Sequence, residues 1–421
     1  MDLLEHPDKL GDLRNKALSN SDYYTVGNVK SRLFKTLPPP AKSESVPGVN
    51  SVRPYKMCSR CVMDTNDDAN ITFDEKNRCN YCSAYFDQKG NDGTPEQLKT
   101  ELENIIQNVK NNRGNAKYDC IVGVSGGADS MYVVHLLAGY GLNPLVVHYD
   151  NGWDSELAVK NIEVIINKLN LDLYTYVNDW EEFKDIQMAF IKANVIDIEL
   201  ITDQAIIAVL YKLSQKFDLK YIFTGHNTST EFILPKHWYH WKLDGLNIKA
   251  IHKRFGKRKL KTYPIVSYFD QYYLNKTGKF KQCSILNYLE YNKEKAKELL
   301  KNEYGWVDYT GKHNESIFTR FYQNYILPLK FNVDKRKAHL SSLICSGQIT
   351  RDHALKELSI KSWETQQTID DKQYVIKKLD WNEKDFDAWI REKPVSHFAY
   401  PSYLTRHEKI VQKLRALLGR K

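Results

Sequence analysis

Hydrophobic and polar positions follow two rhythms along this chain, and the switches between them mark its organisation. After Gly93-Thr94-Pro95, the stretch "PEQLKTELENIIQNVKNN" repeats apolar side chains at Leu98, Leu102, Ile105, Ile106 and Val109, the spacing of one helical face. Thr94 is placed to cap that helix. Pro95 suits its first position, because proline lacks an N–H that the first turn leaves unbonded anyway. Short apolar runs then appear at 118–124 ("YDCIVGV"), 144–150 ("PLVVHYD"), 171–177 ("LDLYTYV") and 219–225 ("LKYIFTG"). Such runs, too short for helices and bounded by glycine or polar residues, suit strands buried on both faces. Helical patterns fall between them, from about Ala128 and across 155–169, 180–193 and 202–217. The alternation predicts an α/β, Rossmann-like parallel sheet that receives ligands at the carboxyl ends of its strands. From about residue 280 the strand signals stop. "ILNYLEYNKEKAKELLKNEYG", "HNESIFTRFYQNYIL", "KRKAHLSSLICSGQITRDHALKELS" and "TRHEKIVQKLRALLGRK" all carry helical periodicity.

Four regions are therefore expected: an extension at 1–54, a cysteine-bearing segment at 55–90, an α/β domain at 91–278 and a helical region at 279–421. The extension ends in "LPPPAKSESVPGVNSVRP", which holds five of the chain's thirteen prolines among small polar residues, as an extended linker would. No run of about 18 apolar residues exists to span a membrane. The first twenty residues lack the apolar stretch of a signal peptide, so a cytoplasmic location is expected. Sixty-one Lys plus Arg against 52 Asp plus Glu leave a net charge of +9, a modest welcome to anionic partners.

One strand end carries chemistry. "IVGVSGGADS" runs from a buried strand through Ser125, Gly126 and Gly127 into a helix that begins with Ala128, Asp129 and Ser130. Backbone N–H groups and the helix dipole then converge on one point, the glycines admit an anion closely, and both serines can donate. The common phosphate loop ends in Lys-Ser/Thr; here Asp129 stands instead. A carboxylate meets phosphate only through a cation, so a Mg²⁺ bridge at Asp129 is expected.

Cys58-x-x-Cys61 and Cys79-x-x-Cys82 have the spacing of a zinc ribbon, four thiolates around a closed Zn²⁺ site. Redox cycling and an iron–sulfur cluster are the alternatives. Cys120, Cys283 and Cys345 fall in apolar or helical settings and read as buried free thiols. "FTGHNTSTEFILPKHWYHWK" opens at the end of the fourth strand, on the same edge as the glycine loop, so Gly225, His226 and Glu231 can face a nucleotide. Helix capping by Asn, Ser and Thr is the plainer role for this stretch. Lys236 is a candidate for the cation missing from the loop. "KAIHKRFGKRKLK" (249–261) suits RNA, a nucleotide-linked sugar or a solvated surface; its thin aromatic content disfavours nucleic acid. Lys312, His313, Glu315, Ser316, Thr319 and Arg320 crowd onto the start of one helix, with His313 and Glu315 as proton-transfer candidates.

The loop resembles the pyrophosphate loop of the PP-loop ATP pyrophosphatases. The resemblance implies ATP cleavage between the α and β phosphates, and adenosine near His148 and Asp150. From about Tyr55 onward, the cysteine pairs, "GVSGGADS", "GHNTSTEFILP", "GWVDYTGKHNESIFTRFYQNYILP" and "DKRKAHLSSLICSGQITRDHAL" resemble the N-acetyl sugar amidotransferases, which make acetamidino sugars for lipopolysaccharide, flagellar glycans and nonulosonic acids. That resemblance implies an ATP-dependent conversion of a sugar N-acetyl group to an acetamidino group through an O-adenylyl imidate. The substrate would be a diacetamido sugar or nucleotide sugar. Ammonia would come from a separate glutaminase subunit of the imidazole-glycerol-phosphate synthase type, often with a barrel partner. The site residues it implies are Asp129, Glu231, Lys236, His313, Glu315 and Arg320 for catalysis, with Ser125, Gly126, Gly127, Ser130, His148, Asp150, Gly225 and His226 around ATP. A PP-loop tRNA-thiolating enzyme is the alternative reading.

Overall fold

The computed structural model describes residues 24–26, 29–31, 53–114, 116–267, 270, 280–309 and 314–405. Lys312, His313 and most of both the extension and the last expected helix lie outside them. From the extension, β1 (Tyr24–Val26) and β2 (Val29–Ser31) pair antiparallel. The cysteine segment leads into α1 (Asn80–Asn91), and α2 (Pro95–Asn111) follows. Thr94 caps α2 as expected: its hydroxyl accepts from Gln97 N while the Gln97 side chain accepts from Thr94 N.

The α/β unit runs β3 (Cys120–Val124), α3 (Ala128–Gly139), β4 (Pro144–Asp150), α4 (Glu156–Leu169), β5 (Leu173–Val177), α5 (Trp180–Lys192), α6 (Leu200–Lys216), β6 (Tyr221–Phe223), α7 (Thr228–Glu231), α8 (Gly245–Phe255) and β7 (Lys281–Cys283). The sheet order is β5-β4-β3-β6-β7, all parallel, with Val124 opposite His148 in register. The fifth strand departs from the expectation that strands end near 280. "KQC" is too short and too polar to show a period, and only its docking beside β6 makes it a strand.

Period-two alternation sorts the two cores. Val122, Val124 and Val146 face Met131, Val134 and Ile162 on one side of the sheet. Ile121, Leu145 and Val147 face Phe183, Phe190, Val209 and Leu210 on the other. β5 is an edge, and Val177 at its end is 66% exposed. Beyond the sheet, helices dominate as expected: α9 (Lys293–Tyr304), α10 (Ile317–Phe321), a π-turn at Tyr322–Ile326, α11 (Leu327–Phe331), α12 (Lys335–Cys345), α13 (Arg351–Leu358), α14 (Gln366–Lys378) and α15 (Glu383–Arg391).

This helical region is not a separate lobe. Ser155 N donates to Glu315 O at 2.8 Å and Ile317 N to Trp153 O at 2.8 Å, which stitches the start of α10 to the end of β4. Trp153 is fully buried between Trp180 and Phe318, with ring centroids 5.2 and 5.3 Å away. α12 acts as a strut. Its Lys337 pairs with Asp64 and Asp67 of the cysteine segment at 2.6 and 2.5 Å, and Ser342 Oγ accepts from Ile233 N at 2.9 Å.

Candidate active site

The glycine loop turns where β3 enters α3. Gly126 has φ +84°, and a Cβ there would lie 2.6 Å from Ala158 O. Only glycine fits both constraints. Its carbonyl accepts from Trp306 Nε1 at 2.9 Å and Tyr309 Oη at 3.2 Å, so the helical region braces the turn. Gly127 caps α3 without a side-chain bond, which leaves the first N–H groups of the helix facing the loop. A Cβ on Gly127 would collide with the Glu315 carboxylate; the residue expected to act in proton transfer thus reaches the loop itself. Gly225 serves packing: a Cβ there would stand 2.7 Å from Ser130 N.

Asp129 has a neighbour that the sequence reading did not pair with it. Tyr291 Oη donates to its Oδ1, and Lys293 Nζ lies 3.9 Å from its Oδ2. Lys293, at the first turn of α9, is therefore the cation the structure sets beside the loop acid. Lys236 stands exposed in a turn whose neighbours His237 and Trp238 donate to Asp67 O of the cysteine segment at 2.9 and 3.1 Å.

A cavity of about 290 Å³ opens from the loop into the body of the sheet. Ser125, Ser130, Thr224 and Glu315 line its outer end. Gly123, Val147, Ile206, Val209 and Leu210 give it an apolar flank, and Tyr149, Glu199, Thr202, Asp203 and Thr319 complete the inner end. His148 lies in the wall with both ring nitrogens engaged, Nδ1 3.0 Å from Val124 O and Nε2 2.9 Å from Asp154 Oδ2. Burial alone would lower its pKa. The bond and charge of Asp154 outweigh burial, and the pKa is raised. Asp150 turns into its own loop, with Oδ1 accepting from Gly152 N at 2.7 Å.

Glu199, just before α6, was not singled out in the sequence. Burial pushes its carboxyl up to about 7, helped by Asp203, while the 2.7 Å bond from Thr319 Oγ1 works the other way. No local signal marks it, because its neighbours include Lys242 from the loop before α8 and Thr319 from α10. Among the residues that were singled out, His226 and Glu231 bond to each other at the end of β6. Asn227 caps α7 through Thr230 N at 2.9 Å, the plainer role allowed for that stretch. Arg320 makes two 2.7 Å bonds to Asp371 of α14, which places it as an anchor behind the cavity wall. In the basic run at 249–261, the backbone N–H groups of Lys257, Arg258 and Lys261 donate to Asp185 and Glu182 of α5, so its polypeptide is clasped to the fold.

Cys58, Cys61, Cys79 and Cys82 come together fully buried, with all four sulfurs within 4.8 Å of one another. Sulfur–sulfur separations of 3.6, 3.7 and 3.8 Å match the edges of a thiolate tetrahedron around zinc with bonds of about 2.3 Å. These four residues fit a structural Zn²⁺ and would hold it; the ion would supply folding energy to a segment poor in apolar residues. Cys345 is a buried free thiol, as expected, but it is not remote from the cluster. Its sulfur lies 3.6 Å from that of Cys82, which carries α12 onto the cluster. Cys120 and Cys283 are buried on the sheet, and burial raises both thiols well above their usual pKa.

Residues 315–415 match the family model of the LPS biosynthesis protein WbpG-like, C-terminal domain. An uncharacterised protein of Methanocaldococcus jannaschii is 30% identical over 171 residues, 40% of this chain and 58% of that protein, so the chain spans little more than half of the relative it matches. Among solved structures, NMN synthetase from Francisella tularensis is 19% identical over 32% of this chain and 56% of its own, with a TM-score of 0.24. NH3-dependent NAD synthetase from Campylobacter jejuni is 17% identical over 32% and 58%, with a TM-score of 0.24. A predicted subunit of tRNA methyltransferase from Methanocaldococcus jannaschii is 16% identical over 43% and 73%, with a TM-score of 0.25. Overlaps this slight carry no argument. The fold rests on the chain itself: a parallel sheet with a Ser-Gly-Gly-x-Asp-Ser loop at its central strand, a four-cysteine cluster before it and helices after it. No helix among the described residues is long and apolar enough to cross a membrane. The family resemblance read from the sequence thus meets a family match over residues 315–415, where the chain is similar to the C-terminal domain of the WbpG-like LPS biosynthesis protein.

Proposed function

We infer that the chain is an ATP-dependent amidotransferase of bacterial surface-glycan synthesis, converting a sugar N-acetyl group to an acetamidino group with release of AMP and pyrophosphate. One observation carries this reading. The WbpG-like segment, beginning at Glu315, supplies Glu315, Ser316 and Thr319 to the same cavity that the glycine loop enters. A loop suited to pyrophosphate and a wall drawn from a glycan-biosynthesis domain therefore share one space.

The chemistry needs such a loop. An amide oxygen leaves poorly, and adenylation turns it into AMP, a good leaving group; the loop N–H groups and α3 dipole would receive the departing pyrophosphate. Asp129 would hold Mg²⁺ between the phosphates. Ammonia would then displace AMP, delivered by a glutaminase subunit. Thiol transfer is disfavoured, because Cys120 and Cys283 are buried and burial raises both thiols above their usual pKa.

The test combines the protein, ATP–Mg²⁺, ammonium chloride and diacetamido sugars. Expected are sugar-dependent AMP and a product in which NH replaces O by mass. Formation of ADP, or co-purified tRNA without a sugar product, would sink the reading.

A further inference from the structure

α12 joins the cavity to the cysteine cluster. Its first residue, Lys335, feels the carboxylates of Asp203, Asp197 and Glu199 at the inner end of the cavity. Its middle holds the cysteine segment: Lys337 pairs with Asp64 and Asp67, and Ser341 Oγ accepts from Val62 N at 3.3 Å. Its last residue is Cys345, whose Sγ lies 3.6 Å from Cys82 Sγ. Arg351, which opens α13, donates to the carbonyls of Cys61 and Cys58 at 3.2 and 3.3 Å.

Five sulfurs therefore meet where a tetrahedral metal needs four. A free thiol in apolar surroundings is ordinarily inert. Cys345 differs because a metal-ligand sulfur touches it: among the described residues, Cys82 is the one cysteine of the cluster in contact with a fifth sulfur. The two sulfurs need to close by only about 1.5 Å to bond at disulfide length. Their helices allow it, since α12 packs directly on α1, which carries Cys82. Exposure also ranks the five thiols. Cys345 is 7% exposed and Cys82 1%, against 0% for Cys58, Cys61 and Cys79. A small oxidant arriving from solvent meets Cys345 first, with Cys82 beside it.

We propose that Cys345 and Cys82 form a peroxide-sensitive thiol pair, whose closure to a disulfide takes one ligand from the metal cluster and loosens α12. This goes beyond the amidotransferase reading and does not depend on it. In the first step the O–O bond of hydrogen peroxide breaks. The Cys345 sulfur bonds the near oxygen to become a sulfenic acid, and its thiol proton leaves with the far oxygen as water. The Cys82 thiolate then attacks that sulfur. The S–S bond forms, the S–O bond breaks, and the departing hydroxide takes a proton from solvent to become a second water. The two sulfurs lose two electrons in all, and the peroxide gains them. Cys58, Cys61 and Cys79 remain, three thiolates where a closed zinc site needs four. A dithiol reductant reverses the step by exchange.

The test uses the zinc-loaded full chain and hydrogen peroxide. Wild type is expected to release its zinc to a colorimetric chelator, and peptide mass mapping is expected to find Cys82 linked to Cys345. Dithiothreitol with added zinc is expected to restore the metal content. Cys345→Ser keeps all four ligands; it is expected to bind as much zinc as wild type before treatment and to release it ~10-fold more slowly under peroxide. Equal release rates in the two proteins, or a wild-type linkage confined to Cys58, Cys61, Cys79 and Cys82, would overturn the pair. A folded Cys345→Ser that holds no zinc before treatment would overturn it as well, because the fifth thiol would then be keeping the metal in place. If far-UV circular dichroism shows that the variant has lost its fold, the wild-type map decides alone: a Cys82–Cys345 linkage sustains the pair, and any other linkage, or none, overturns it.

Discussion

The two ends of the cavity solve opposite electrostatic problems. At the outer end, an anion site is made from backbone: glycines that open space, uncapped N–H groups of α3, and serine hydroxyls. At the inner end, side chains make the site: Asp197 and Asp203 pair with Lys242, and burial raises the Glu199 carboxyl beside them. The backbone end tolerates no added atoms. The side-chain end tolerates shape changes but answers to charge and pH.

Breaking the outer end should have the largest effect. Gly126→Ala adds a Cβ 2.6 Å from Ala158 O at a φ of +84°, so the loop must shift, and AMP formation is expected to fall by ~100-fold or more with far-UV circular dichroism retained. Asp129→Asn keeps the shape and removes the charge that Mg²⁺ needs. Its ATP turnover should drop by roughly tenfold to a hundredfold, with zinc content by elemental analysis unchanged.

The inner end should respond through pH. A carboxyl raised in the fold from 4.5 to about 7 binds more protons folded than unfolded. Its favourable contribution is full below the unfolded value and is lost as pH rises through the folded one. Glu199→Gln should therefore melt like wild type near pH 4.5 and be more stable above pH 7, by up to roughly 3 kcal/mol in denaturant titrations. An unchanged difference across that window would erase the contrast between the two ends. The smallest effect belongs to Tyr149→Phe. Removing a hydroxyl without a partner among the described residues is expected to change stability by less than ~0.5 kcal/mol.

Legibility followed contiguity. The outer end was readable because Ser125 through Ser130 are consecutive and the preceding apolar run identifies a strand. The cysteine pairs were readable for the same reason. Glu199 carried no signal, since a glutamate ahead of an amphipathic helix usually faces water. Its burial comes from Thr319, Lys242 and Lys335, which lie 43 to 136 residues away along the chain. Lys293 beside Asp129, Cys345 beside Cys82 and the short strand Lys281–Cys283 were hidden likewise.

By itself, then, the sequence determined the elements whose causes are local: strand runs, the capped helix at Thr94, the glycine turn and the thiol pairs. Their physics acts between residues a few positions apart. The tertiary structure alone decided the polarity of the cavity, because desolvation and charge balance depend on which distant segments meet. The start of α10 laid against β4 brings Glu315 to the loop and Thr319 to Glu199, and no short window of sequence contains that meeting.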